Sequence, residues 1–159
     1  MKLLILKAGV AGSVLFSGFV QMPTTPPMKL GLWETSSTTS MQMPGMNMPP
    51  QPPHSVKARV CVTAETWARA FGNNDRMAGC TRSNESYGAK HYSFDLSCPA
   101  MNGSAHFEME FFGDDSGRGK IHMDMNPQGH HAIVDSVLDS HFVSSDCGGL
   151  APGRSQVVP

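Results

Sequence analysis

The sequence predicts a mainly β domain: a single antiparallel curved sheet or partial barrel, with one short α-helix and disulfide staples. Three observations carry that expectation. Apolar and polar residues alternate with period two through several segments, most clearly across 106–112 and 118–125. A helical period with a start signal is plain only after Thr63. Four cysteines (Cys61, Cys80, Cys98 and Cys147) follow an apolar leader, and none sits in a Cys-x-x-Cys pair. That favours two disulfides in an oxidising compartment over zinc or thiol-redox chemistry.

At 159 residues the chain accommodates one domain. Residues 1–21 place Lys2 and Lys7 around an apolar run, the layout of a secretory signal peptide, which predicts a periplasmic or secreted protein. The competing reading is an uncleaved anchor, since the run approaches the ~20-residue spanning length. A mature chain would carry no membrane span. Without the leader, 10 basic residues stand against 13 acidic ones; no cluster of Lys and Arg points to nucleic acid.

Residues 22–28 are a proline-rich linker and 29–150 the domain. Its first strand is the Trp33-centred run from Lys29 to Thr39, whose Thr and Ser favour extended backbone. Met41 to Pro53 is low-complexity, held open by its prolines. Val56, Ala58, Val60 and Val62 alternate with Lys57, Arg59 and Cys61, a half-buried strand. Thr63 is an N-cap, Glu65 lies in the first turn, and Ala64, Trp67, Ala68 and Phe71 share a helical face closed by Gly72-Asn73-Asn74. Tyr92, Phe94, Leu96 and Cys98 line one face of a strand that a turn at Gly88–Lys90 joins to the polar stretch before it.

The next hairpin has the clearest pairing. Setting Phe112 against Arg118 matches Glu110 with Lys120, Glu108 with His122, His106 with Asp124, Met109 with Ile121 and Phe107 with Met123. Asn126–Gly129 is a turn. Residues 132–145 fit both a helical stripe and a strand; partial β-branching and the preceding meander favour a strand. Residues 151–159 read as a flexible tail.

Several residue sets could carry chemistry. Met41, Met43, Met46 and Met48, with His54 nearby, offer soft sulfur ligands for Cu(I); the plainer reading is a low-complexity segment whose methionines cover an apolar edge. His106, His122 and Glu108 fall on one face as a two-histidine, one-carboxylate set, or as cross-strand charge pairs. His130-His131 falls in a turn. No nucleophile elbow, phosphate-binding glycine loop or His-Glu-x-x-His helix is present. Asn84-Glu-Ser86 and Asn102-Gly-Ser104 match the glycosylation triplet, a pattern short enough to arise by chance. The hairpin turn brings Cys80 opposite Cys98 and leaves Cys61 for Cys147, although it also sets Asn84 against Phe94 and Arg82 against Leu96. Cys61 with Cys80 and Cys98 with Cys147 is the alternative.

Lys29 to Glu34, the Met-Pro-Gly-Met segment at 43–46, Val60-Cys61-Val62-Thr63-Ala64-Glu65, the spaced Cys80 and Cys98, and Asp146-Cys147-Gly148 together resemble the bacterial domain-of-unknown-function family 3617. Its members open with Lys-Pro-Gly-Leu-Trp-Glu; here Leu30 replaces the proline. The resemblance spans about residues 28–150, implies export from a Gram-negative cell, and brings no activity. The expectation is therefore a non-enzymatic envelope module that takes an apolar ligand or an envelope partner on Phe107, Met109, Phe111, Ile121 and Met123. Cu(I) binding through the methionine segment is the alternative.

Overall fold

The computed structural model describes residues 26–46, 51–71 and 79–159. The predicted signal segment, Met48 and Gly72-Asn73-Asn74 lie outside them. Eight strands follow in chain order: β1 (Gly31–Gln42), β2 (His54–Val62), β3 (Thr81–Tyr87), β4 (His91–Cys98), β5 (Gly103–Phe111), β6 (Ser116–Met125), β7 (Ala132–Ser144) and β8 (Ser155–Val158). Among the described residues one α-helix, α1 (Ala64–Phe71), interrupts them after β2. The strands make one open antiparallel sheet in the order β3-β4-β5-β6-β7-β1-β2-β8. The sheet is not closed into a barrel. Residues 132–144 are a strand, paired along both edges with β6 and β1.

Two disulfides staple the sheet. Cys80–Cys98 joins the start of β3 to the end of β4, and Cys61–Cys147 joins β2 to the segment after β7. Asn84 does not stay opposite Phe94. The β3–β4 register shifts between Ser83 and Ser86, Asn84 takes φ 52°, and its amide donates to the Asp95 carboxylate at 2.7 Å. A β-bulge thus turns a polar residue off the apolar face. Arg82 keeps its place opposite Leu96 because its guanidinium lies 4.2 Å from the Phe94 ring centroid, and Tyr87 stacks on Tyr92 at 4.6 Å.

The β5–β6 register is two residues from the predicted one. Phe111 faces Gly117, Met109 faces Gly119, Glu108 faces Lys120, and His106 faces His122. A shift of two preserves both faces, so alternation alone could not choose between the registers. Two features outside the strand pattern decide it. The loop closes tightly, Phe112 N–H donating to the Ser116 carbonyl at 2.9 Å. Glycines then fall across from the bulky Phe111 and Met109; a Cβ on Gly119 would approach Leu138 to 3.2 Å and the Met109 sulfur to 3.5 Å.

That loop also holds the entry to β1. The Asp114 carbonyl accepts from Lys29 N–H and the Asp115 carbonyl from Phe142 N–H, both at 2.7 Å, while Lys29 Nζ pairs with the Asp114 carboxylate at 3.0 Å. Trp33 Nε1 donates to the Lys29 carbonyl at 2.8 Å, and its ring meets Phe142 edge-on at 6.0 Å, leaving the residue 2 % exposed. The chain reaches this position through a bulge at Leu32–Trp33 preceded by Gly31 at φ 136°.

Helix α1 starts as expected. Thr66 N–H donates to Thr63 Oγ1 at 3.2 Å and Thr63 N–H to Thr66 Oγ1 at 2.7 Å, a reciprocal cap with threonine at the third position. The buried side is different: Trp67 is inside, but Ala64 and Ala68 are exposed. Residues 151–159, expected to be a tail, instead form an ordered return. Gly153 N–H donates to the Cys61 carbonyl at 2.9 Å, and β8 pairs with Lys57–Val60.

A Cβ on Gly31 would lie 2.2 Å from the Ser144 carbonyl, and its φ is one that L side chains rarely adopt. Gly31→Ala is therefore expected to destabilise the domain by about 2 kcal/mol or more, read as a lower denaturant midpoint at unchanged slope. A stability equal to that of the parent would show that β1 enters without this bulge.

Candidate functional site

The two faces of the sheet carry different chemistry. On one, a cluster of Tyr92, Phe94, Leu96 and Cys98 packs with Phe107, Met109, Ala105, Cys80 and Tyr87 over β3–β5. Moving toward β1 the same face becomes small. The cross-strand row from Phe111 runs through Gly117, Ser140 and Thr35 to Ala58. Thr35 and Ser140 share a hydroxyl hydrogen bond at 2.8 Å, as do Thr39 and Ser136 one row pair further on, so these polar groups satisfy one another along the β1–β7 seam.

Helix α1 lies over this small row. Trp67 packs against Phe111 with ring centroids 6.0 Å apart. Between helix and sheet is a pocket of about 410 Å³. Trp33, Trp67, Val60, Val62, Met109 and Phe111 supply its apolar lining; Gly117, Ser140 and Thr35 supply the room. Pro152, Gly153 and Arg154 of the C-terminal return complete it, with Arg69 from α1. Its volume falls within the range of small-molecule sites, roughly 300–1,000 Å³.

Of the five residues predicted as a ligand face, Met109 and Phe111 line this pocket. Phe107 belongs to the aromatic cluster, 5.0 Å from Phe94 and 5.9 Å from Tyr92. Ile121 and Met123 are half-buried on the same face, farther along β6. Sequence reasoning treated Trp33 and Trp67 as structural and left Arg154 in a tail. The signal for the tryptophans was available, since two large rings flank the Cys61 strand; nothing local marks Arg154.

The methionine segment divides. Met41 lies in β1 opposite Val134 and is exposed, whereas Met43 and Met46 end a turn in which Met46 N–H donates to the Met43 carbonyl at 3.2 Å.

The opposite face is a charged lattice. Glu34 is its centre, taking Arg59 at 3.0 Å, Lys57 at 3.6 Å and His141 at 3.9 Å. The Arg59 hydrogen bond, with these neighbouring charges, holds the Glu34 carboxyl below its ordinary range. His106 and His122 face each other directly, and each is engaged elsewhere: His106 Nδ1 with Asp95 at 2.6 Å, His122 Nδ1 with Asp135 at 2.7 Å. Glu108 does not join them. It lies 4.0 Å from His91 and 3.9 Å from Lys120. The potential ligand atoms of His91, Glu108 and Glu110 fall within 4.8 Å of one another, a nitrogen and two oxygens suited to a borderline divalent cation. His131, which the sequence places in a turn, contacts Asp124 at 3.0 Å. The Asp95 carboxyl is also lowered, by the Asn84 hydrogen bond first and that of His106 second. Burial raises the Tyr87 and Tyr92 phenols, Tyr87 further through its bond to Glu85. No helix among the described residues is long and apolar enough to cross a membrane.

Residues 28–147 match the family model described as a protein of unknown function, DUF3617. Comparisons with curated proteins and with solved structures return no match.

Because Glu34 and Asp95 titrate lower folded than unfolded, their contribution is complete above about pH 5 and is lost as pH falls through the lowered values. Glu34→Gln and Asp95→Asn are thus expected to flatten the fall of Tm between about pH 5 and pH 3. Thermal melts across that range check it; a variant whose acid limb stays as steep as the parent's removes its carboxylate from the account.

Proposed function

The chain belongs to the DUF3617 family, and from that footing we propose that it is an exported, non-enzymatic module that binds an apolar ligand between α1 and the sheet. The observation that carries this reading is the pocket itself. A domain that used this face only as core would fill it, since close-packed interiors leave few voids larger than a water. Here a row of small residues lies beneath a buried tryptophan and leaves about 410 Å³. The lining is mostly aromatic and aliphatic, with the Thr35–Ser140 hydroxyls already satisfied, so displacing water by an apolar group is favourable. Two disulfides suit an oxidising compartment and support export.

A second reading is Cu(I) handling by Met41, Met43, Met46 and Met48, favoured by the turn that sets Met43 and Met46 at its two ends and by the exposure of Met41 and Met46.

Both of the chain's tryptophans line the pocket, so their emission reports on it directly. Titration with the neutral probe N-phenyl-1-naphthylamine is expected to quench them saturably at one site, and Ser140→Phe to abolish the quenching while the fold persists by circular dichroism. Unsaturable quenching, or equal quenching in Ser140→Phe, rules the pocket out as a binding site. For copper, competition against a Cu(I) chelator is expected to show uptake that falls when Met43 and Met46 become leucine; uptake at background level ends that reading.

A further inference from the structure

The charged residues at the pocket are of one sign. Among the described residues, Arg69 and Arg154 are the only ionisable side chains in its lining, and no described carboxylate joins them there. Arg69, on α1, already shares its charge with Glu65 one turn earlier. Arg154 is exposed and makes no ion pair among the described residues. Its backbone is nevertheless fixed beside the pocket. Its backbone N–H donates to the Ala151 carbonyl at 3.0 Å, and Gly153 beside it donates to the Cys61 carbonyl at 2.9 Å. A Cβ on Gly153 would lie 3.2 Å from the Thr66 methyl, so this segment runs tightly against α1. Cys61 in turn is bonded to Cys147 and bridged to Pro152. A disulfide, a strand bridge and a close helix contact thus hold the backbone that carries a cation with no ion-pair partner among the described residues beside an apolar pocket.

We propose that the ligand is an amphiphile with an anionic head: its hydrocarbon part lies against Trp33, Trp67, Met109 and Phe111, and its carboxylate or phosphate is held by Arg154, with Arg69 as the second cation. This rests on the apolar-pocket reading above and adds the head group. An arginine fork matches a planar carboxylate or a phosphate by paired N–H donors. An apolar molecule without charge would leave both guanidiniums solvated and gain nothing from them. A small anion without a tail would gain nothing from the aromatic lining.

The test compares dodecanoate and dodecyl phosphate, each below its micellar concentration, with dodecanol below its solubility limit, by tryptophan emission with the intact, oxidised protein. The expected result is that at least one anion binds about tenfold more tightly than dodecanol, with a preference that shrinks as salt screens it. The stronger of the two anions identifies the head group. In Arg154→Gln the preference is expected to collapse, with dodecanol binding changed far less than that of the anion; Arg154→Lys is expected to retain part of the preference, and Arg69→Gln to weaken it less. If dodecanol binds as tightly as both anions, or the preference survives in the Arg69→Gln, Arg154→Gln double variant, the anionic head is refuted and the apolar pocket stands. If none of the three binds, the apolar-pocket reading itself fails.

Discussion

One helix of two turns cannot cover one face of an eight-stranded sheet. Helix α1 spans about 12 Å, while seven strand spacings span about 34 Å. The uncovered width has to be dealt with in some other way, and the sequence uses two. Over β3–β5 the face closes on itself, with Tyr87, Tyr92, Phe94 and Phe107 stacked and tilted against one another. Under α1 it is lined with glycine, serine and threonine, and the space is kept. Trp33 borders this space, paired within β1 to Val60 and Phe142, and its indole is tied through the Lys29 carbonyl to a segment that the Asp114 carbonyl holds.

The elements were largely legible because strand alternation and a threonine cap are local signals. The Cys61 strand and the two faces of the 106–125 hairpin fall where their periodicity puts them. Register was not legible to the same degree. Moving β5 against β6 by two residues exchanges one set of cross-strand partners for another: Glu108 finds Lys120 in place of His122, and His106 finds His122 in place of Asp124. The deciding terms were steric, glycine opposite Phe111 and Met109, and they become visible only once β7 supplies Leu138 on the far side. The bulge at Asn84 was hidden for a similar reason, since it exists to keep an amide off a face whose aromatic content comes from β4.

The pocket was half legible. Met109 and Phe111 follow from alternation, and their use from the general rule that an apolar face seeks cover. Which part of the face would stay open depends on where α1 lands and on the path of the chain after Cys147. Neither is a property of any one segment. Arg154 shows this most clearly, because its neighbours in sequence are proline, glycine and serine, and its place beside the pocket comes entirely from the link between Cys61 and the C-terminal return.

An open sheet has two free borders, and each is an invitation for a second chain to add a strand. Here the border at β3 is broken by the Asn84 bulge and carries Arg82 and Glu85, which are paired across that break. The border at β8 is only four residues long, so that even Val157, at 71 % exposure, stands on too short a rail to template an extended partner. Straightening the first or lengthening the second would turn a self-contained sheet into a sticky one, and the irregularities at its margins therefore act as guards against polymerisation.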